Sequence, residues 1–225
     1  MSAHLAFHAS GSPVAAEVRE LVIAGWAGRD AAAVQHHVDE LRELGVSPPR
    51  TTPLFYRVSA RLMTTDGSID VAGTGSTGEA EAVLLSLPSG TWVGVGSDHT
   101  DRKAEAAGVT WSKQMCAKPI GPELWRFEEV APHWDQLRLG ARVLQGGVWR
   151  PYQDGTLAGL RTPADLVGRY TGRETLPHGT AMFLGTMPVL GAIGWADAFE
   201  MSLDDPVLGR RLAHRYFIEA LTLDD

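Results

Sequence analysis

The chain has 225 residues, 44% of them hydrophobic, so it can bury one substantial core, and nothing in its length demands a second domain. Its 20 Lys and Arg against 27 Asp and Glu give a net charge of -7 with no long basic run, which argues against nucleic acid and anionic membrane as partners. Cys116 is the only cysteine, and neither a basic, apolar leader nor a run of roughly 20 apolar residues is present, so a reducing compartment, the cytoplasm, is expected.

In chain order, residues 5–8 alternate and residues 20–24 run apolar over strand length, with Gly25 and Gly28 ending the second segment. From Asp30 to Leu44, DAAAVQHHVDELREL is rich in helix formers, sets Ala33, Val34, Val38 and Leu41 along one side, and stops at Gly45. Asp30 is placed as its N-cap. SPPRTTPL reads as a loop, because its prolines lack amide donors and hold their predecessors extended. Strands are expected over 55–62, 68–71, 79–87 and 92–95, divided by glycine-rich or Asp-Gly turns, and a short helix near Asp101. QLRLGARVL and VWRPYQ flank Gly146-Gly147, the pair that a tight hairpin turn favours. Thr162-Pro163 opens a helix through Tyr170, and FLGTM, AFEMSL and HRYFIEAL read as strands. The pattern predicts an α+β, β-rich fold with few helices, as one domain over 1–225: N-terminal strands and a helix over 1–50, which the resemblance given below makes lid-like, and a core over 51–225.

Within GEAEAVLLSL, Glu79 and Glu81 stand two apart in an expected strand, so both side chains leave one face and form a two-toothed oxygen clamp. Hard cations such as Mg²⁺ and Mn²⁺ take carboxylate oxygens and water. Alone, such a pair is more often a solvated strand face. The apolar continuation AVLL places it against a core, and VGVGSDHTDRK delivers Asp98, His99 and Asp101 to a following turn. Asp98 is the third candidate ligand; the alternative is that Asp98 or Asp101 caps the next helix. Cys116, beside Lys113 and Lys118, reads as a core thiol before it reads as a nucleophile. The adjacent His36 and His37 diverge by about 100° on a helix and do not face one site. The glycine run at 73–78 has no Gly-Lys-Ser/Thr after it and is not a phosphate loop.

These pieces, in this order, resemble the fumarylacetoacetate hydrolase superfamily. PLFYRVSARLMTTDGSIDVAGTGSTGEAEAVLL follows that family's layout up to its Glu-x-Glu, and SDHTDRK is similar to its Asn-Asp-Val-Ser-Ala-Arg-Asp turn. TWSKQMCAKPIGPEL resembles the segment carrying its lysine, and LPHGTAMFLGTMPVLG the family's late Gly-Thr-Pro motif. GRD followed by HHVDEL resembles the Gly-Arg-Asn-Tyr and His-x-x-Glu of a short mobile helix. Arg57, Glu105, Thr180 and Met187 depart from the pattern, as in a divergent branch.

The resemblance implies a fumarylacetoacetate-hydrolase-like mixed β-sandwich roll with a few peripheral helices, and a homodimer. It implies Mg²⁺ or Mn²⁺ on Glu79, Glu81 and Asp98, and Lys113 as the active-site lysine. It further implies Arg102, Gly185 and Thr186 on the substrate, and a water activated by His37 oriented by Glu40. The implied activity is C–C bond hydrolysis of a 2-oxo or β-diketo acid through a stabilised enolate. The same enolate serves lyases, hydratases, decarboxylases and tautomerases, and a non-catalytic small-molecule-binding protein could retain the fold.

Overall fold

The computed structural model describes residues 2–43 and 48–223, apart from the side chains of His37, Glu40, Leu41 and Glu43. A hairpin of β1 (Ala3–Ala9) and β2 (Ser12–Val18) leads through β3 (Glu20–Gly25) to α1 (Ala31–Glu43), then β4 (Leu54–Val58), β5 (Met63–Thr64), β6 (Ser68–Ala72) and β7 (Ser76–Thr77). Next come β8 (Ala80–Leu87), β9 (Gly90–Ser97), β10 (Thr100–Asp101), α2 (Arg102–Glu105), α3 (Val109–Gln114), β11 (Lys118–Pro119), β12 (Trp125–Arg126) and α4 (Phe127–Val130). The chain finishes with β13 (Arg138–Gln145), β14 (Val148–Thr156), α5 (Pro163–Thr171), β15 (Thr180–Thr186), β16 (Ala198–Asp205) and β17 (Arg210–Leu221). Among the described residues no helix is long and apolar enough to cross a membrane.

Two sheets dominate. A six-stranded sheet has the order β12-β9-β8-β15-β3-β4, and a five-stranded sheet the order β14-β13-β16-β17-β6. β8 is buried at every position, which is what a central strand covered on both faces needs and why AEAVLLSL lacks polar alternation. Its even positions, Ala80, Ala82 and Leu84, join a core with Leu139, Val143, Phe199, Met201 and Tyr216 of the opposing sheet. Its odd positions, Val83, Leu85 and Leu87, join a second core with Phe7, Val18, Tyr56, Ile120 and Phe183. On that second face a Cβ at Gly96 would stand 2.7 Å from Phe183 and 2.8 Å from Val83, so glycine lets the large ring close over β9.

The β-rich expectation is borne out, and so are several local ones. Asp30 Oδ1 accepts the amides of Ala32 (2.9 Å) and Ala33 (3.2 Å), and Thr162 Oγ1 accepts that of Asp165 (3.2 Å). Gly146 and Gly147, with φ of 57° and 77°, make the turn between β13 and β14. Four points differ. The hairpin partner β2 was not foreseen. The strand expected over 55–62 stops at Val58, where the Ser59 hydroxyl accepts the Arg61 amide and caps a 3₁₀ turn at Ala60–Leu62. Glu79 stands one residue before β8 rather than inside it. Leu44 and Gly45, the expected end of the first helix, lie outside the described residues.

Candidate metal centre

One end of the six-stranded sheet gathers the charged residues. β8 begins there and its neighbours β9 and β15 end there: Glu81 is opposite Gly96 on one side and Thr186 on the other. Antiparallel register therefore places Asp98, just past β9, beside Glu79, just before β8, and the Asp98 amide donates to the Glu79 carbonyl at 2.9 Å. Glu81 shares its strand face with Val83 and Leu85, so its carboxylate sits at the rim of the second core rather than in solvent, with 2% exposure. That burial overturns the alternative of a solvated strand face for Glu81, while Glu79, partly exposed, stands just before the strand. Asp98 and Asp101 divide the two roles that sequence left open: Asp101 Oδ1 caps α2 through the Ala104 amide (2.9 Å), and Asp98 turns inward.

One carboxylate oxygen from each of Glu79, Glu81 and Asp98 lies within 4.8 Å of the others. Each of the three has its second oxygen engaged. Glu79 Oε1 pairs with Arg102 Nη2 at 3.0 Å, Glu81 Oε2 accepts the Gly185 amide at 2.6 Å, and Asp98 Oδ1 lies 3.3 Å from Lys118 Nζ. Gly185 can bring its amide there because it adopts φ 98°, open to glycine, at the β-bulge where β15 leaves register with β8. Lys113 Nζ contacts Asp98 Oδ2 and lies 3.4 Å from Glu79 Oε2. Arg102 also donates through Nε to Thr77 Oγ1 at 2.7 Å and through Nη1 to Glu105 at 3.2 Å.

These contacts set the charge states. Burial raises the Glu79 carboxyl, but Arg102 and Lys113 outweigh it and hold it at about 2. For Glu81, burial and then the charges of Asp98 and Glu79 push in one direction, well above the ordinary carboxylate range. Burial lowers Lys113, yet Asp98 and Glu79 overcompensate and keep it charged. Three hard oxygen donors that repel one another, one of them forced toward its neutral form, make a donor set that fits a divalent cation. At the ~2.0–2.6 Å oxygen distances of Mg²⁺ or Ca²⁺, side-chain shifts of well under about 1 Å bring all three ligands onto one ion.

Beneath the carboxylates lies a polar layer of which the sequence marked His99 and Thr186 but not their partners. His99 is wholly buried, with Nδ1 2.9 Å from Tyr216 Oη and Nε2 2.9 Å from Ser76 Oγ; Tyr216 Oη in turn lies 2.8 Å from Ser97 Oγ. Burial, then the charges of Lys118 and Arg102, drive the His99 imidazole down to about 3, so it holds the Asp98 turn as a neutral group. On the other side Gln153 accepts the Ala80 amide (2.9 Å) and donates to Thr186 Oγ1 (2.7 Å), which itself donates to the Ala80 carbonyl at 2.7 Å. The Thr186 hydroxyl thus already has partners on both sides. Cys116 is buried, and burial pushes its thiol up to about 11, which leaves it a core residue. His37 and Glu40 lie on α1, and their side chains are outside those described.

No curated protein matches the chain. Among solved structures, that of Cg1458 with inhibitor is similar over 94% of this chain and 84% of its own, with a TM-score of 0.66 and 16% identity. A 2-keto-3-deoxy-D-arabinonate dehydratase complexed with magnesium and 2,5-dioxopentanoate is similar over 92% of this chain and 74% of its own (TM-score 0.63, 16% identity). The 4-oxalocrotonate decarboxylase from Pseudomonas putida G7, complexed with calcium and acetate, covers 88% of this chain and 76% of its own (TM-score 0.54, 16% identity). Likeness at that identity is a likeness of fold, and it bears out the fumarylacetoacetate-hydrolase-like fold expected from the sequence. A family model matches residues 24–216, so the chain belongs to the family described as "Protein of unknown function (DUF2848)".

Proposed function

We propose that this chain is a divalent-metal-dependent enzyme of the fumarylacetoacetate hydrolase superfamily that acts on small 2-oxo acids, with Glu79, Glu81 and Asp98 holding Mg²⁺ or Mn²⁺. The observation that carries the reading is the convergence of those three carboxylates within 4.8 Å beside Lys113 and Arg102. A cation there supplies Lewis-acid polarisation of a substrate keto oxygen. The chain's own residues supply the remainder. Lys113, anchored by Glu79 and Asp98, and Arg102, anchored by Glu79, Glu105 and Thr77, present fixed positive charge where negative charge collects as an enolate forms. Gly185 orients Glu81 through its amide, and Gly185 and Thr186 stand at the substrate's carboxylate end; to donate to a carboxylate, the Thr186 hydroxyl must leave the Ala80 carbonyl.

Two reactions draw on that arrangement. The first is hydrolysis of a C–C bond in a 2-oxo or β-diketo acid, with His37, oriented by Glu40, taking a proton from the attacking water. The second is dehydration or decarboxylation, which needs the same charge stabilisation without that dyad; the dehydratase and decarboxylase among the similar structures favour it. A homodimer in the cytoplasm completes the proposal. The test is a panel of acylpyruvates, fumarylacetoacetate-like diketones and 2-keto-3-deoxy acids with Mg²⁺, following loss of the ultraviolet absorbance of the enol. Turnover abolished by a chelator supports the reading, and its dependence on His37 in a His37→Ala variant separates hydrolase from lyase. A chain that neither binds Mg²⁺ nor turns over any of the three classes refutes it.

A further inference from the structure

Lys118 has 0% exposure, an exceptional place for a lysine. Its ammonium donates to the carbonyls of His99 (2.6 Å), Lys113 (2.5 Å) and Cys116 (3.1 Å), so its three protons meet three backbone acceptors. Asp98 Oδ1 stands 3.3 Å away as an ion-pair neighbour and has no hydrogen bond among the described residues, while Oδ2 contacts Lys113, which also reaches Glu79 Oε2 at 3.4 Å. The main chain of Asp98 is fixed as well, its amide by Glu79 O and its carbonyl by Thr100 Oγ1, each at 2.9 Å. The carboxylate is therefore divided between two sides. The same division recurs at Glu79, where Arg102 engages Oε1, and at Glu81, where the Gly185 amide engages Oε2.

We propose that Lys118 is a positioning residue that selects the cation: by keeping Oδ1 of Asp98 on its own side, it restricts Asp98 to one ligating oxygen and the site to three single-oxygen protein ligands. The inference rests on the cation-binding reading above. Mg²⁺ takes a near-octahedral shell of single oxygens, whereas Ca²⁺ takes six to eight, commonly completed by bidentate carboxylates. A clamp in which each carboxylate turns one oxygen to a fixed neighbour, Arg102, the Gly185 amide or Lys118, favours the smaller ion. Without Lys118, Asp98 can turn to offer both oxygens.

The experiment is calorimetric titration of the wild-type chain and of Lys118→Met with Mg²⁺ and, separately, with Ca²⁺. In the wild type Mg²⁺ binds the more tightly, and in Lys118→Met the ratio of Ca²⁺ to Mg²⁺ affinity rises by about tenfold or more. A packing role alone would move both affinities together, so an unchanged ratio in a folded variant overturns the assignment. Should circular dichroism show Lys118→Met unfolded, the wild type decides: Ca²⁺ bound more tightly than Mg²⁺ overturns the proposal, and the reverse order supports it. A wild type that binds neither cation overturns the metal site itself, which is distinct from binding with an unchanged ratio.

Discussion

Glu79 and Glu81 are ligands of one proposed cation, yet their removal has opposite consequences for the metal-free protein. Glu79 is the counter-charge of Arg102 and Lys113, at 3.0 and 3.4 Å. Holding its carboxyl at about 2 instead of 4.5 corresponds to about 3 kcal/mol of stability at neutral pH, at about 1.4 kcal/mol for each factor of ten. The sign follows from the depression: the contribution is complete above the ordinary carboxyl value and is lost as pH falls from about 4.5 to about 2. Glu79→Gln removes it and leaves Arg102 with only Glu105 and Lys113 with only Asp98 as ion-pair partners among the described residues, comparable with the ~3–5 kcal/mol of a broken buried pair. In a chain of 225 residues that is a fall in Tm of roughly 6–20 °C.

Glu81 is raised well above the ordinary range by burial and by Asp98 and Glu79, so the metal-free site favours its neutral form. Glu81→Gln keeps an oxygen for the Gly185 amide and mimics the neutral form that the site favours, and the metal-free variant stays within about 1 kcal/mol of wild type. Both variants lose Mg²⁺ affinity by on the order of 100-fold or more, since a direct ligand costs at least what an outer-shell partner does. Thermal melts in chelator give the first quantity and calorimetric titrations the second. Equal destabilisation by the two substitutions would show that the charge assignment is wrong, whatever the metal data say.

Three further outcomes follow from the same geometry. Because burial and the neighbouring carboxylates raise Glu81, and a cation favours its ionised form, Mg²⁺ binding releases protons and tightens as pH rises, read by calorimetry in buffers of different ionisation enthalpy; binding with no pH dependence contradicts it. Gly185→Ala forces a Cβ within 2.7 Å of Ala27 Cβ at φ 98°, withdraws the amide from Glu81, and lowers both stability and Mg²⁺ affinity, whereas a variant with wild-type values of both removes Gly185 from the clamp. Cys116, its thiol pushed up to about 11 by burial, resists alkylation in the native protein near pH 8 and reacts on unfolding; rapid native labelling would place it at the surface.

What the sequence disclosed about this site follows the range of the interactions involved. Asp30, Thr162 and the Gly146-Gly147 turn act within a few residues, so local rules find them. Glu79 and Glu81 show a period of two, but whether that face is wet or buried depends on β9 and β15, whose register only the folded sheet supplies. Thr186 was placed by its motif at the substrate, and the partners that engage its hydroxyl come from Ala80 and Gln153, far along the chain. Lys118 left the weakest signal of all. A lysine between Ala117 and Pro119 reads as surface, and what stabilises it in the interior is three main-chain carbonyls of His99, Lys113 and Cys116, groups every residue carries and no side-chain pattern marks. The residue best placed to tune the clamp is therefore one whose environment is written in backbone geometry. Its effect on the Ca²⁺ to Mg²⁺ ratio is a sharper probe of how the site works than the loss of any carboxylate, because removing a ligand weakens every cation while removing Lys118 changes which one fits.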